Sequence, residues 1–148
     1  MSSHDDLLNH EPAGTIESAY QEHVRRREAG DWTGLASLFA EDARYFDPIF
    51  GWQQGRTAIG NFLEGAMAGL AERVFRDMWH VAEGNRLVIY WQCSLLGESE
   101  PKASDADGGY HGYHGMSALK LSENGLWTEQ MDIYDREEAK SSRRDARL

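Results

Sequence analysis

Residues 29–48 read AGDWTGLASLFAEDARYFDP and contain the boundaries of three secondary-structure elements. Gly30 ends one helix, because glycine accommodates the backbone conformation found just past a helix end. Asp31 can cap the short helix that follows. The next strand stops at Asp47-Pro48, because proline cannot continue a ladder of hydrogen bonds and keeps its predecessor out of helical conformation. The stretch therefore predicts a helix, a short helix and a strand, in that order.

The rest of the chain extends this order in both directions. Apolar residues three and four positions apart predict a helix from Thr15 onward and another over Arg56 to Leu70. Strands rich in β-branched and aromatic residues, separated by turn-forming residues, are predicted at 74–82, 86–96, 110–121 and 126–134. The sequence thus predicts an α+β fold, a cone in which a curved antiparallel sheet packs against three helices and its inward side chains line a pocket.

We place this domain at residues 15–136, between a flexible N-terminal arm at 1–14 and a charged C-terminal tail at 137–148. The arm is polar and acidic and ends in a proline and a glycine, which favours a loose segment over a packed one. Nothing in the chain repeats at the period of a solenoid or a propeller. One domain therefore accounts for the sequence.

The composition limits the classes of partner. The chain has 148 residues, of which 41% are hydrophobic, enough apolar material for one core. Its formal charge of −10 repels phosphate backbones, so we expect no nucleic acid and no membrane as partner. A single cysteine and the lack of a leader or a spanning stretch indicate a cytoplasmic protein. The run Arg25, Arg26 and Arg27 lies beside acidic residues and is typical of a solvated helix face.

The stretch quoted above, with Gly55-Arg56-Thr57-Ala58-Ile59 and Phe62 after it, resembles the opening of the nuclear transport factor 2-like superfamily, in its ketosteroid isomerase and SnoaL-like branches. The resemblance covers residues 16–135 and implies the cone-shaped fold and a homodimer that pairs through the open sheet face. This superfold hosts isomerases, cyclases, dehydratases, epoxide hydrolases and non-catalytic binders, so the resemblance does not name a substrate.

The resemblance also implies site residues. In the isomerase, a carboxylate in an Asp-Pro pair at the end of the first strand moves a proton between carbons, and Asp47 has that place here. The two oxyanion-binding positions fall on His23, with Tyr20 one helical turn earlier, and on Ser117, where the isomerase has Tyr and Asp. The alternative for Asp47 is a turn residue that binds nearby backbone amides.

The last strand supplies a second candidate acid or base. Gln130, Asp132 and Tyr134 share one face by the alternation of a strand, and the resemblance implies that this face lines the pocket. An aspartate there must be protonated, hydrogen-bonded or paired, since burying it alone is costly. Asp132 is therefore a candidate catalytic group opposite Asp47. The alternative is a structural pair with an arginine such as Arg86, or a place near the rim.

His80 is the third candidate catalytic residue, because an imidazole beside Asp47 or Asp132 can accept a proton near neutral pH. Aromatic side chains on the strands, Trp79, Tyr90 and Tyr113 among them, are predicted to form substrate-binding walls where they point inward. His111 and His114 point to opposite faces of a strand, so we expect no metal site. The chain has no glycine-rich phosphate loop, and we expect no cofactor.

These observations favour a cofactor-independent enzyme that transfers protons on a small, largely apolar carbonyl or polyketide-like metabolite, as an isomerase, cyclase or dehydratase. Asp47 with His80 or Asp132 would exchange the protons. Two alternatives stay open. One is a non-catalytic small-molecule-binding or accessory subunit with the same pocket, and the other is a structural partner that resembles the β-subunit of a ring-hydroxylating enzyme. A large exposed apolar patch would favour the subunit.

Overall fold

The computed structural model describes residues 12–68, 70, 73–95 and 112–146. Its helices are α1 (Pro12–Glu28), α2 (Trp32–Ala36), α3 (Arg56–Ala68) and α4 (Arg136–Ala146). Its strands are β1 (Phe39–Asp47), β2 (Gly51–Gln54), β3 (Arg73–Glu83), β4 (Arg86–Leu95), β5 (Tyr113–Leu121) and β6 (Trp127–Tyr134). They form one sheet in the order β2-β1-β6-β5-β4-β3. The predicted α+β fold, a curved sheet packed against helices, is confirmed.

The sheet is mixed, whereas the sequence predicted antiparallel strands throughout. Neighbouring strands run antiparallel except β1 and β6, which run parallel. These two are separated by most of the chain, so no hairpin fixes their relative direction. The segment after Pro48 leads into strand β2, which pairs back on β1 from Gly51, a glycine with a φ of 78°. Such a φ suits glycine, which has no Cβ to clash.

The core lies between helices α1 to α3 and one face of the sheet, here called the concave face. Trp127, Phe39, Ile16, Leu35, Ile59 and Leu87 are its largest fully buried apolar side chains. On β1, β4 and β5 the buried positions alternate with exposed or half-buried ones. This alternation places every second side chain of these strands toward the helices. The functional groups described below lie among those inward side chains.

The opposite face of the sheet, here called the outer face, carries exposed apolar side chains in two rows. Ladder partners share a face, and one row runs from Trp79 through Tyr90 and Met116 to Ile133. The second crosses all six strands, through Val81, Val88, Ala118, Met131, Phe46 and Trp52. Ile133 is 52% exposed and Val81 60% exposed. The described part of the protein leaves this apolar surface uncovered.

The helix α4 covers most of the segment predicted as a charged tail, and its Ala139 and Ser142 are buried. It is held partly by Arg73, whose guanidinium donates to the backbone carbonyl of Ser142. The predicted N-terminal arm falls mainly outside the described residues. No helix within the described ranges is both long enough and apolar enough to cross a membrane.

Candidate active site

Two carboxyl groups lie side by side on the concave face. In the parallel pairing of β1 with β6, Tyr45 is opposite Gln130 and Phe46 is opposite Met131. The next residues along the two strands are Asp47 and Asp132. Neighbouring strands lie about 4.8 Å apart, so this register brings the two aspartates into electrostatic contact. The carboxylate pair predicted from the sequence is therefore present, although the two groups are neighbours and do not face each other across the cone.

The Asp132 carboxyl is bound by three neutral donors. Tyr45 Oη donates a short hydrogen bond to Oδ2. Ser117 Oγ donates to Oδ1 at 2.7 Å, and Gln130 Nε2 donates to the same oxygen at 2.9 Å. Burial raises the pKa of Asp132, the three hydrogen bonds oppose that rise, and the charge of Asp47 adds to it. The net pKa lies above the ordinary value, which makes Asp132 a stronger proton acceptor than a solvated carboxylate. The pair with Arg86 is not formed.

The Asp47 carboxylate is held by hydrogen bonds from a turn and from the concave face. Its Oδ1 accepts from the backbone amides of Ile49 and Phe50, at 2.8 and 3.1 Å. These contacts make it the turn residue that joins β1 to β2. Tyr134 Oη also lies 2.9 and 2.8 Å from its two oxygens, so a phenol from the concave face reaches the same carboxylate. Asp47 is thus a fixed and hydrogen-bonded negative charge beside Asp132.

His23 is buried on α1 and held as a neutral imidazole. Its Nε2 lies 3.0 Å from Oε1 of Gln130, and its Nδ1 accepts from Nε of Arg27 at 2.9 Å. Burial lowers the pKa of His23 to about 3, and the nearby charge of Arg27 acts in the same direction. The position that the resemblance assigned to an oxyanion donor therefore holds a neutral histidine, whose hydrogen bond goes to Gln130.

Arg27 is not part of a solvated face, as the sequence indicated, but belongs to a mostly buried ion pair. Its guanidinium donates two hydrogen bonds to Asp77 on β3, at 3.0 and 2.6 Å. Tyr20 Oη donates to the same carboxylate at 2.7 Å. Burial alone would raise the pKa of Asp77, but the hydrogen bonds and charge of Arg27 lower it. Arg25 and Arg26 do match the prediction, since they pair with Glu22 at the helix surface.

Aromatic side chains of the concave face surround the carboxyl groups. Trp91, Tyr113 and Tyr134 are in mutual ring contact, with centroids 5.3 to 6.1 Å apart. Trp91 Nε1 also donates to Ser117 Oγ at 2.9 Å. Gly115 makes room for this indole, because a Cβ at that position would lie 2.6 Å from its ring. The wall is apolar, with phenol and indole groups turned toward the polar cluster.

Trp79 and Tyr90, predicted as substrate-binding residues, lie on the outer face. Trp79 is 47% exposed and its ring contacts Tyr90 on the same surface. The alternation of β3 is interrupted between Asp77 and Trp79, where the pairing register shifts. Such a bulge moves the residues after it to the other face. The bulge therefore places Trp79 on the opposite side of the sheet from the carboxyl cluster. Tyr90 lies on that side because it alternates with the buried Ile89 and Trp91 on the regular strand β4.

His80 also lies apart from the carboxyl pair. Its Nε2 is 2.9 Å from Oε1 of Glu17 on α1, and its ring contacts that of Tyr20. The dyad predicted with Asp47 or Asp132 is not formed. His111 lies outside the described residues, and His114 contacts the Tyr90 hydroxyl. Within the described residues, no group of three His, Cys, Asp or Glu side chains is placed to hold a metal ion.

Four residues of the cluster were not predicted from the sequence as site residues: Tyr45, Arg27, Asp77 and Trp91. Two of them carried a usable signal. Tyr45 is two residues before Asp47 on one strand and so shares its face, and Arg27 is four residues after His23 on one helix. For Asp77 and Trp91 the sequence does not indicate which polar groups they contact, because their partners come from distant parts of the chain.

A family model for the SnoaL-like domain matches residues 20–130. The chain belongs to the SnoaL-like family. The resemblance drawn from the sequence is therefore confirmed. No curated protein matches this SnoaL-like chain.

Solved structures of the same fold include enzymes and a binder. One is SalBIII, an epoxide hydrolase/cyclase-like enzyme with a role in pyran ring formation in the polyether salinomycin. It is 15% identical to this chain, the alignment covers 81% of this chain and 90% of that chain, and the TM-score is 0.63. A ketosteroid isomerase-like protein from Kribbella flavida is 16% identical, over 83% and 79% of the two chains, with a TM-score of 0.60. A computationally designed 17-OHP binder is 16% identical, over 82% and 92%, with a TM-score of 0.59. Identities this low establish a shared fold and leave the activity of this chain open.

Proposed function

We propose that this SnoaL-like protein is a cofactor-independent enzyme that transfers protons on a small, largely apolar metabolite carrying a carbonyl group. Isomerases, cyclases and dehydratases share this chemistry. One observation carries the proposal, namely the Asp132 carboxyl, which is half-buried on the concave face and whose hydrogen-bond donors among the described residues are all neutral. A carboxylate with a raised pKa in an apolar surrounding is a competent general base.

The first step is removal of a proton from the carbon next to the substrate carbonyl. The C–H bond breaks, its electron pair moves into an enolate, and the proton forms a new O–H bond on Asp132. Returned to another carbon, the proton completes an isomerisation. If the enolate instead attacks a carbonyl carbon of the same molecule, a C–C bond closes a ring, the C=O π electrons move to oxygen, and that oxygen takes the proton from Asp132. If the enolate expels a hydroxyl group from the next carbon, the C–O bond breaks and the leaving hydroxide takes the proton from Asp132 and departs as water. All three outcomes need the same base.

The surrounding side chains favour an apolar substrate. The ring cluster of Trp91, Tyr113 and Tyr134 offers flat apolar surface, and the chain has an excess of negative charge. An anionic substrate would also be repelled by the adjacent charges of Asp47 and Asp132. A neutral carbonyl compound avoids that repulsion and can stack on the rings. Polyketide-like metabolites, which combine ketones with flat ring systems, meet both requirements.

The test is hydrogen exchange in D₂O. Neutral ketones of increasing ring number and polyketide-like compounds are incubated with the protein, and loss of the carbon-bound proton signal is followed by NMR. Exchange above the buffer rate for at least one compound supports the proposal. Binding without exchange, seen as ligand line broadening, supports the second candidate. Neither exchange nor binding across the panel contradicts both.

The second candidate is a small-molecule-binding protein without catalysis. Asp47 favours it, because two backbone amides and Tyr134 occupy a carboxylate that the isomerase would use as its base. The designed 17-OHP binder has the same fold. Its fold alone does not argue for binding here, but the occupied Asp47 does.

We also propose that the outer face pairs two copies of the chain. Four of its aligned side chains, Trp79, Val81, Met116 and Ile133, are 43 to 60% exposed and form a continuous apolar surface. Monomers rarely expose contiguous apolar patches of this kind. A second copy offers the same surface, and its burial removes both patches from water.

The prediction is that light scattering after size-exclusion chromatography gives twice the chain mass of 16.8 kDa. Ile133→Asp adds a charge to the middle of the surface and is expected to give the monomer mass. Asn61→Asp, which adds the same charge at an exposed position of α3, is expected to stay dimeric. A wild-type monomer, or a dimer that survives Ile133→Asp, contradicts the proposal. If the outer face instead binds a different protein, the isolated chain is expected to be a monomer that aggregates.

A further inference from the structure

Two lines of hydrogen bonds meet at Asp132, and the direction of each is fixed where it begins. One line begins at the guanidinium of Arg27 on α1, and the other begins at the indole of Trp91. Both groups carry N–H donors and have no acceptor. Asp132, toward which both lines run, is an acceptor only when ionised. The direction of each bond between them can therefore be worked out in turn.

From Arg27 the direction passes through a histidine and an amide. The Nε–H of Arg27 donates to Nδ1 of His23, so that nitrogen holds a lone pair. The neutral imidazole then carries its proton on Nε2 and donates to Oε1 of Gln130. With its oxygen engaged, Gln130 directs its amide nitrogen to Tyr45 Oη at 3.1 Å and to Asp132 Oδ1 at 2.9 Å. The tautomer of His23 thus sets which end of the amide meets the carboxyl group.

The two hydroxyl groups follow the same logic. Tyr45 Oη accepts from Gln130, so its own proton goes to Oδ2 of Asp132. Ser117 Oγ accepts from Trp91, so its own proton goes to Oδ1. Burial and the nearby carboxyl of Asp132 raise the pKa of Tyr45 well above its ordinary value, so this phenol remains a donor. Both lines of hydrogen bonds therefore lead to Asp132. The bonds through His23 and Gln130 cannot reverse while Arg27 is in place, and the bond from Ser117 is fixed by Trp91.

We propose that Arg27 is a positioning residue, which fixes the His23 tautomer and through it holds Asp132 as an ionised proton acceptor. This inference rests on the proposed function, because it explains how Asp132 is kept ready to act as a base. A carboxylate has about four acceptor positions, and the three donors leave one open on Oδ2. That position, beside the Tyr45 hydroxyl, is where a substrate proton would be taken up.

The charges around the chain explain why an arginine can act here without protonating the histidine or neutralising Asp132. Asp77 binds the guanidinium through both oxygens, and Tyr20 Oη holds that carboxylate in place. The charge of Arg27 is thus balanced locally. The groups that face Asp132 are Asp47 and Tyr45 from β1, Ser117 from β5 and Gln130 on its own strand; Asp47 is the only charged one among them. Arg27 therefore acts on Asp132 through the direction of the hydrogen bonds.

The test uses NMR on the full chain and needs no substrate. With ¹⁵N-labelled histidine, wild-type His23 is expected to show the neutral form protonated on Nε2 across pH of about 5 to 8. Arg27→Met removes the donor, so the form protonated on Nδ1, or the imidazolium, is expected to appear. Gln130 can then turn its oxygen toward Asp132, and the carboxyl ¹³C titration of Asp132 is expected to move upward by about one pH unit or more.

Arg25→Met is the matched control, because Arg25 is two residues away on the exposed side of the same helix and pairs with Glu22. It is expected to leave both signals unchanged. Unchanged signals in Arg27→Met would overturn the proposal. A wild-type His23 protonated on Nδ1 would also overturn it, and this measurement does not depend on whether the variant folds. If the NMR signals behave as expected but no compound exchanges its carbon-bound proton, the proposed function is wrong and the hydrogen-bond network stands.

Discussion

Asp132→Asn is expected to slow exchange of the substrate's carbon-bound proton by about 10²- to 10⁴-fold, the usual contribution of a positioned general base. Asparagine keeps the size of the side chain and one acceptor oxygen, but its amide cannot accept the proton. Its NH₂ group must also meet a hydroxyl that now donates, either Tyr45 Oη or Ser117 Oγ. The measurement is the initial rate of deuterium incorporation into the compound that wild type exchanges fastest.

Asp47→Asn is the companion variant, because it removes the neighbouring charge and keeps an oxygen for the amides of Ile49 and Phe50. It also removes repulsion that raises the pKa of Asp132, so the low-pH limb of the rate profile is expected to move to lower pH. We expect a smaller loss of rate than for Asp132→Asn. If Asp47→Asn is the more damaging of the two while both variants unfold at the wild-type temperature, the base is Asp47 and our assignment of Asp132 is wrong.

The concave face of β6 could be predicted from sequence because that strand is regular over its last residues. Its pairing with β5 runs without a shift from Glu129 to Tyr134, so Gln130, Asp132 and Tyr134 keep one face. Simple alternation is then sufficient. The position that the resemblance assigned to Ser117 also lies in the site, because β5 pairs directly with β6 and Ser117 is opposite Asp132.

The failure on β3 has a local cause. The register shift near Met78 places Asp77 opposite Trp91 and Trp79 opposite Tyr90. Nothing in the residues Asp77-Met78-Trp79 marks a bulge, because no glycine or proline stands there. Without it, alternation from Asp77 assigns Trp79 to the concave face. Tyr90 lies on β4, whose pairing with β5 has no shift, so its place on the outer face follows from alternation with the buried Ile89 and Trp91. The apolar outer face added to the difficulty, because both faces of these strands are rich in large apolar side chains.

The polar network was beyond reach for a different reason. Arg27, Asp77 and Tyr20 are brought together by packing of α1 on β3, over sequence separations of 50 and 57 residues. Helical spacing from His23 indicates that Arg27 is the arginine that turns inward, but nothing in the sequence indicates that Asp77 is its partner. The partners of a buried charge are fixed by the tertiary fold, so sequence periodicity identifies the face and leaves the pairing open.

The stability of the protein is expected to fall in acid because His23 must stay neutral in the fold. Its pKa is lowered from 6.5 to about 3, so between these values the unfolded chain binds a proton that the folded protein does not. The contribution of the neutral His23 to the free energy of unfolding is present in full above pH 6.5 and is lost as the pH falls toward 3. Its full size is on the order of 5 kcal/mol. Asp77, with a lowered pKa, acts in the same direction, and Asp132, with a raised pKa, opposes it.

His23→Gln separates the histidine from these carboxyl groups, because glutamine can bind Gln130 and does not titrate. The measurement is the free energy of unfolding from urea denaturation at several values between pH of about 4 and 8. Whatever its stability at neutral pH, the variant is expected to lose less on acidification than wild type. The difference in free energy of unfolding between wild type and variant should change by about 3 kcal/mol between pH 6.5 and 4, because the unfolded histidine takes up its proton over this range. Because the carboxyl contributions are common to both proteins, parallel curves would mean that the buried imidazole takes up its proton in the fold and that the Arg27 donor does not hold it neutral.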